Sequence, residues 1–125
     1  MALVAVLVVA ALGAFASAGS AARNAAPRNT QPPTVSGTPT RGETLKADRG
    51  EFSGNPTDYN YFWVRCEKNG GSCSNISGAH TLSYKLTSAD VGHTLRFKVQ
   101  AKNADRSIFA SSVPTAVIAS SGGGT

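Results

Sequence analysis

The most regular pattern in the chain is the alternation in "TLRFKVQAK", residues 94–102. Leu95, Phe97, Val99 and Ala101 take every second place, with Arg96, Lys98, Gln100 and Lys102 between them. Successive side chains of a strand point to opposite faces, so this segment predicts a strand with an apolar inner face and a cationic outer one. A second strong strand is predicted at residues 59–66, "YNYFWVRC". With Trp63 inward, Tyr59 and Tyr61 share its face, and Asn60, Phe62, Val64 and Cys66 face the other way. Shorter runs predict further strands: "PTVSG" at 33–37, "ETLKA" at 43–47 with Leu45 and Ala47 inward, and "TLSYKL" at 81–86 with Leu82, Tyr84 and Leu86 on one face. "SCSNI" at 72–76 predicts the partner of 59–66 in a hairpin. "PTAVIAS" at 114–120, opened by proline, predicts a last edge strand. Asp48-Arg49-Gly50 predicts a turn, after which Phe52 packs back. Thr87-Ser88-Ala89-Asp90 predicts one helical turn closed by its own cap. About seven strands with an inward tryptophan on a central one predict an all-β fold, a sandwich of two layers.

The N-terminus breaks this pattern. Residues 1–15, "MALVAVLVVAALGAF", carry no charge, and small residues follow in "ASAGSAA". Such a run predicts an export signal over residues 1–22, cut near Ala18 to Ala22. It is shorter than the ~20 residues a membrane-spanning helix needs. The expected organisation is signal 1–22, linker 23–31, domain 32–119 and flexible tail 120–125. The mature chain is expected outside the cell, secreted or associated with the cell surface, with no membrane span.

Export bears on the cysteines. Cys66 and Cys73 are the only two, inside "RCEKNGGSC". A metal site would need further ligands; only His80 and His93 are at hand, and the spacing matches no common zinc pattern. A redox pair would want Cys-x-x-Cys. In an oxidising compartment the remaining reading is a structural disulfide that clamps a hairpin, with Lys68-Asn69-Gly70-Gly71 at its tip.

Charge changes the picture little. The 125 residues carry a net +5, and the cations are spread along the chain rather than gathered in a block. That argues against nucleic-acid binding and leaves a weak, salt-screened attraction to anionic surfaces. Catalysis is not expected: His80, His93 and Asp90 sit at turns, no nucleophile-elbow motif is present, and Asp90 is explained by closing the Thr87 turn. Glu43, Asp48, Glu51 and Asp58 form no calcium loop and read as solvated acids. Asn75-Ile76-Ser77 is a glycosylation sequon, expected to stay unmodified. No metal or cofactor is expected. The candidate binding face is the outer side of the two long strands: Phe62 and Val64, rimmed by Arg96, Lys98 and Lys102. An apolar pair edged by cations suits an anionic or aromatic partner, such as another envelope protein or an anionic cell-wall polymer.

The stretches "GTPTRGETLKA", "FSGNPTDYNYFWVRCEKNGGSCSNISGA", "YKLTSADVGHTLRFKVQAKNADRS" and "SSVPTAV" resemble a bacterial immunoglobulin-like domain, of the kind found, often in tandem, in secreted and cell-surface proteins. The resemblance covers about residues 32–119. It implies a sandwich fold, a local Cys66–Cys73 bridge, and a structural or adhesive role without catalysis. Phe52 stands where such domains usually carry tryptophan, and Phe62 where a polar residue is usual. The alternative is a small domain that binds a carbohydrate or envelope polymer. Exposure of Tyr59, Tyr61 and Trp63, assigned above to the core, would favour it.

Overall fold

In the computed structural model, residues 25–121 are described. The predicted export signal and residues 122–125 lie outside them. Nine strands follow in order: β1 Arg28–Gln31, β2 Thr34–Ser36, β3 Thr44–Asp48, β4 Glu51–Ser53, β5 Asp58–Cys66, β6 Ser74–Asn75, β7 Ser83–Lys85, β8 Thr94–Lys102 and β9 Ser107–Ser111, with one 3₁₀ turn at Ser88–Asp90. They pair as β1-β4, β2-β3-β7 and β6-β5-β8-β9, all antiparallel.

β5 and β8 pair along all nine residues of each, Asp58 with Lys102 through Cys66 with Thr94. Their inner faces build the core. Trp63, Leu95, Phe97 and Val99 are fully buried, and Leu45, Leu86 and Ile118 close over them from elsewhere in the chain. Burying each such side chain contributes about 1.5–3 kcal/mol. Trp63 lies between Tyr84, stacked at 5.7 Å, and Phe97 at 5.1 Å. Its indole N–H donates to the Thr81 carbonyl at 2.8 Å, so the ring is buried without an unpaired polar atom.

The predicted turn at Asp48-Arg49-Gly50 is a kink instead. β2 pairs with β3 and β1 with β4 in nearly one register, so the two segments form one long antiparallel pair with a break in the middle. Pro32 and Pro33 cause the break, because neither has an N–H to give the ladder. Opposite them, Gly50 takes φ +77° and presses on the backbone; a Cβ there would lie 2.0 Å from the Gln31 carbonyl oxygen. Residues 28–31, expected within the linker, therefore belong to the folded body.

Two further expectations change at the edges. Leu82 is 43% exposed, while Leu86 is buried and Tyr84 half-buried. The ladder still reaches Leu82, whose carbonyl accepts from the Ala47 N–H at 2.7 Å, but its side chain lines an open cleft beside Tyr59 and Tyr61 instead of the core. The last edge strand is β9, not residues 114–120. Beyond β9, Pro114 interrupts the ladder, and the chain follows β8 irregularly: Ser112, Thr115 and Ile118 N–H groups donate to the Phe97, Leu95 and His93 carbonyls at 2.8–2.9 Å. Ala119 then crosses to the other layer, bridging Thr40 in parallel.

Candidate interaction surface

Even-numbered residues of β5 and β8 face outward, and the register sets Phe62 beside Lys98, Val64 beside Arg96, Asn60 beside Gln100 and Asp58 beside Lys102. β9 adds Phe109 beside Gln100 and Ser111 beside Lys98. The Lys98 ammonium lies over two rings, 5.4 Å from the Phe62 centroid and 5.1 Å from that of Phe109. The rings are 6.3 Å apart. His80 meets Phe62 edge-on at 5.6 Å, and its Nδ1–H donates to the Tyr61 carbonyl at 3.0 Å. Phe109 is 56% exposed. The centre of the face is thus a cation laid across two phenyl rings, held by geometry that the strand register dictates.

Phe109 was not among the predicted residues. Its signal was present: "SIFAS" alternates, and the four residues Asn103–Arg106 are a hairpin-length connection from β8. Asn103 holds that connection, its side-chain oxygen accepting from the Asp105 and Arg106 N–H groups at 3.0 and 2.9 Å.

Two predicted members of the face are not available on it. Val64 is only 4% exposed. Its neighbour Arg96 is half-buried, with Nε donating to the Gly70 carbonyl at 3.0 Å and Nη1 to the Ser112 carbonyl at 3.1 Å. The hairpin tip and the Pro114 segment fold over this end; a Cβ on Gly70 would meet Pro114 at 2.8 Å. Arg96 is a clamp between two loops. Phe62, Lys98 and Lys102 remain on the face, with Lys102 at its far end.

The hairpin tip owes its shape to the bond between Cys66 and Cys73, which occupy the next paired position after Arg65 and Ser74. Within it, Glu67 N–H donates to the Gly71 carbonyl, and Gly70 N–H to the Glu67 carbonyl, both at 2.8 Å. Gly70 takes a positive φ, as an Asn-Gly tip requires, but the second such residue is Ser72 rather than Gly71.

Beneath the opposite end of β5 the proline break leaves a cleft of about 520 Å³, lined by residues 47–52, Tyr59, Tyr61 and Leu82. The Arg49 guanidinium lies 3.9 Å over the Tyr59 ring. Tyr59 packs on Phe52 at 5.8 Å and Tyr61 on Phe97 at 5.5 Å. Trp63 is buried out of reach; Tyr59 and Tyr61 are half-buried at the cleft wall.

Asp90 is wholly buried and belongs to neither surface. It accepts from Arg65, Tyr84 and Thr87. Burial, and then the hydrogen bond to this carboxylate, raise the Tyr84 hydroxyl above the usual tyrosine value. Among the described residues no three His, Cys, Asp or Glu side chains gather as a metal-ligand set, and no helix is long and apolar enough to cross a membrane.

No curated protein matches the chain. A family model does, that described as the AIR9 A9 domain, over residues 30–106. The match spans more than half of the chain, from within β1 to the end of the β8–β9 connection. Domains of this class are structural or interaction modules and are generally without catalysis. With its antiparallel layers and inward Trp63, the chain belongs to this immunoglobulin-like family of the AIR9 A9 domain.

Proposed function

We propose that this domain is a non-catalytic structural and adhesive module of the cell exterior, docking an extended acidic segment of a neighbouring envelope protein along the Phe62–Lys98–Phe109 face. The observation that carries this reading is Lys98 spanning two phenyl rings beside an edge strand. Among the described residues β9 has β8 on one side only, and its five residues carry no charge that would discourage pairing. An added strand would gain main-chain hydrogen bonds from β9, while Phe109 on the adjoining strand would receive its apolar side chains, and Lys98 and Lys102, one strand further in, would attract its carboxylates. The apolar segment at residues 1–15 and the Cys66–Cys73 bond support a location outside the cytoplasm.

The test is fluorescence anisotropy of a labelled peptide of alternating valine and glutamate against the full chain. Binding that weakens with salt, and falls by roughly tenfold in Lys98→Glu and Phe109→Ala, supports the reading. Equal binding by the folded variants contradicts it. A polygalacturonate chain that competes at this face and outbinds the peptide would replace the protein partner with an anionic wall polymer.

A further inference from the structure

The structure also points to a second site on the other side of β5, and we propose that the cleft at the proline break binds a neutral pyranose sugar, one or two rings long. This goes beyond the outer face and does not depend on it: Tyr59 and Tyr61 point to the inner side of the strand whose outer side bears Phe62. The cleft volume of about 520 Å³ falls in the range of small-molecule sites, about 300–1,000 Å³.

A pyranose ring has an apolar face of C–H groups and an edge of hydroxyls that both donate and accept. The cleft offers a partner for each. Tyr61 rests on buried Phe97, which holds its ring at the wall as the platform for the C–H face; the Tyr59 ring is already covered by Phe52 and Arg49. The rim is polar. Arg49 lies over the Tyr59 ring and makes no ion pair with the acids beside it in the chain, which leaves its N–H groups for a ligand. Asp48 commits one oxygen to the Gly50 N–H at 2.8 Å. The Glu51 carboxylate makes no hydrogen bond or ion pair among the described residues. With donors and acceptors thus present together, vicinal hydroxyls are matched. Two carboxylates against one guanidinium oppose an anionic ligand, and among the described residues no third acid joins them as a metal-ligand set. Gly50 packs directly on the Gln31 and Pro32 backbone, which sets the position of the rim's main chain.

The experiment is saturation-transfer NMR on the full chain with cellobiose, maltose and diacetylchitobiose, and with digalacturonate as the anionic control, followed by amide-shift mapping. The expected result is millimolar, saturable transfer to at least one neutral disaccharide, with shifts confined to residues 47–52, 59, 61 and 82. Arg49→Ala and Glu51→Ala alter exposed side chains outside the core and should each weaken binding roughly tenfold, while the buried Trp63 keeps its native fluorescence. Absence of transfer to every neutral sugar, preference for digalacturonate, or binding that survives both substitutions would overturn the proposal.

Discussion

Arg65 and Asp90, twenty-five positions apart, form a two-pronged ion pair in which the guanidinium Nη2 and Nε reach the same carboxylate oxygen at 2.7 and 2.8 Å. The other oxygen accepts from the Tyr84 hydroxyl at 2.8 Å, the Thr87 N–H at 2.8 Å and the Thr87 hydroxyl at 3.2 Å. Asp90 is fully buried, and both of its carboxylate oxygens are met by donors. Removing it by Asp90→Ala should destabilise the domain by about 3–5 kcal/mol, since Arg65 and Tyr84 lose their shared partner. Urea unfolding of the variant measures this; a loss under about 1 kcal/mol would mark the pair as an exposed surface bridge in its energetics.

Tyr84 makes the same network sensitive to alkali. Its folded value is raised above the ordinary 10.0, so the neutral form is the one that folding favours. A group with a raised folded value contributes its stability in full below the unfolded value and loses it as pH rises through the folded one. Wild-type stability should therefore fall above pH 10.0 by more than that of Tyr84→Phe, which cannot ionise there. Thermal melts of the two proteins on both sides of that pH provide the comparison, and parallel curves would contradict it.

The disulfide closes a loop with a separation of seven residues. The chain-entropy model gives such a loop about 2.5 kcal/mol, a large share of the roughly 5–15 kcal/mol typical of a domain. Cys66→Ala with Cys73→Ala should lower stability by about that amount, and a thiol reductant should lower the wild-type melting temperature to match. A double variant as stable as the wild type would contradict the assignment.

Gly50 and Gly42 separate two costs that are usually mixed. Both have positive φ, +77° and +90°. Around Gly42 there is open space within 4 Å, whereas a Cβ at Gly50 would sit 2.0 Å from the Gln31 oxygen. Gly42→Ala should lose only the backbone preference, about 1 kcal/mol. Gly50→Ala should lose more, by about 1–3 kcal/mol, because β1 must move away from β4. Equal losses in denaturant melts would mean that the kink does not clamp the two strands.

The sequence made the long strands plain and the loops opaque, for a physical reason. β8 is written in nine alternating residues, and a fully buried inner face enforces its register, so 94–102 is both the predicted and the observed span. The Thr87–Asp90 turn carries its own capping chemistry and is equally local. Val64 and Arg96 read as outward positions, which is true of the strand; what covers them is Gly70, Ser112 and Pro114, brought there by the hairpin tip and by the chain after β9. No local pattern announces such long-range packing. The kink at Arg49-Gly50 reads as a turn because its residues are those of a turn, and only the proline pair seventeen positions earlier, lying opposite in space, makes it a break in a continuous pair. Of the interaction face, Phe62, Lys98 and Lys102 were legible from alternation. Phe109 was missed because short "SIFAS" sits between a loop and Pro114.

The central claim is that β9 and its neighbouring rings receive an added strand. Asn103 N–H donates to the Arg106 carbonyl and Ser112 N–H to the Phe97 carbonyl at the two ends of β9. Antiparallel alternation then turns the main-chain groups of Ser107, Phe109 and Ser111 away from β8, toward the open edge. Amide hydrogen exchange, read residue by residue with and without saturating valine–glutamate peptide, is the most direct measurement. The account predicts slowed exchange at Ser107, Phe109 and Ser111 on binding, and no slowing in Lys98→Glu; bound peptide with unchanged exchange at these three amides would contradict it.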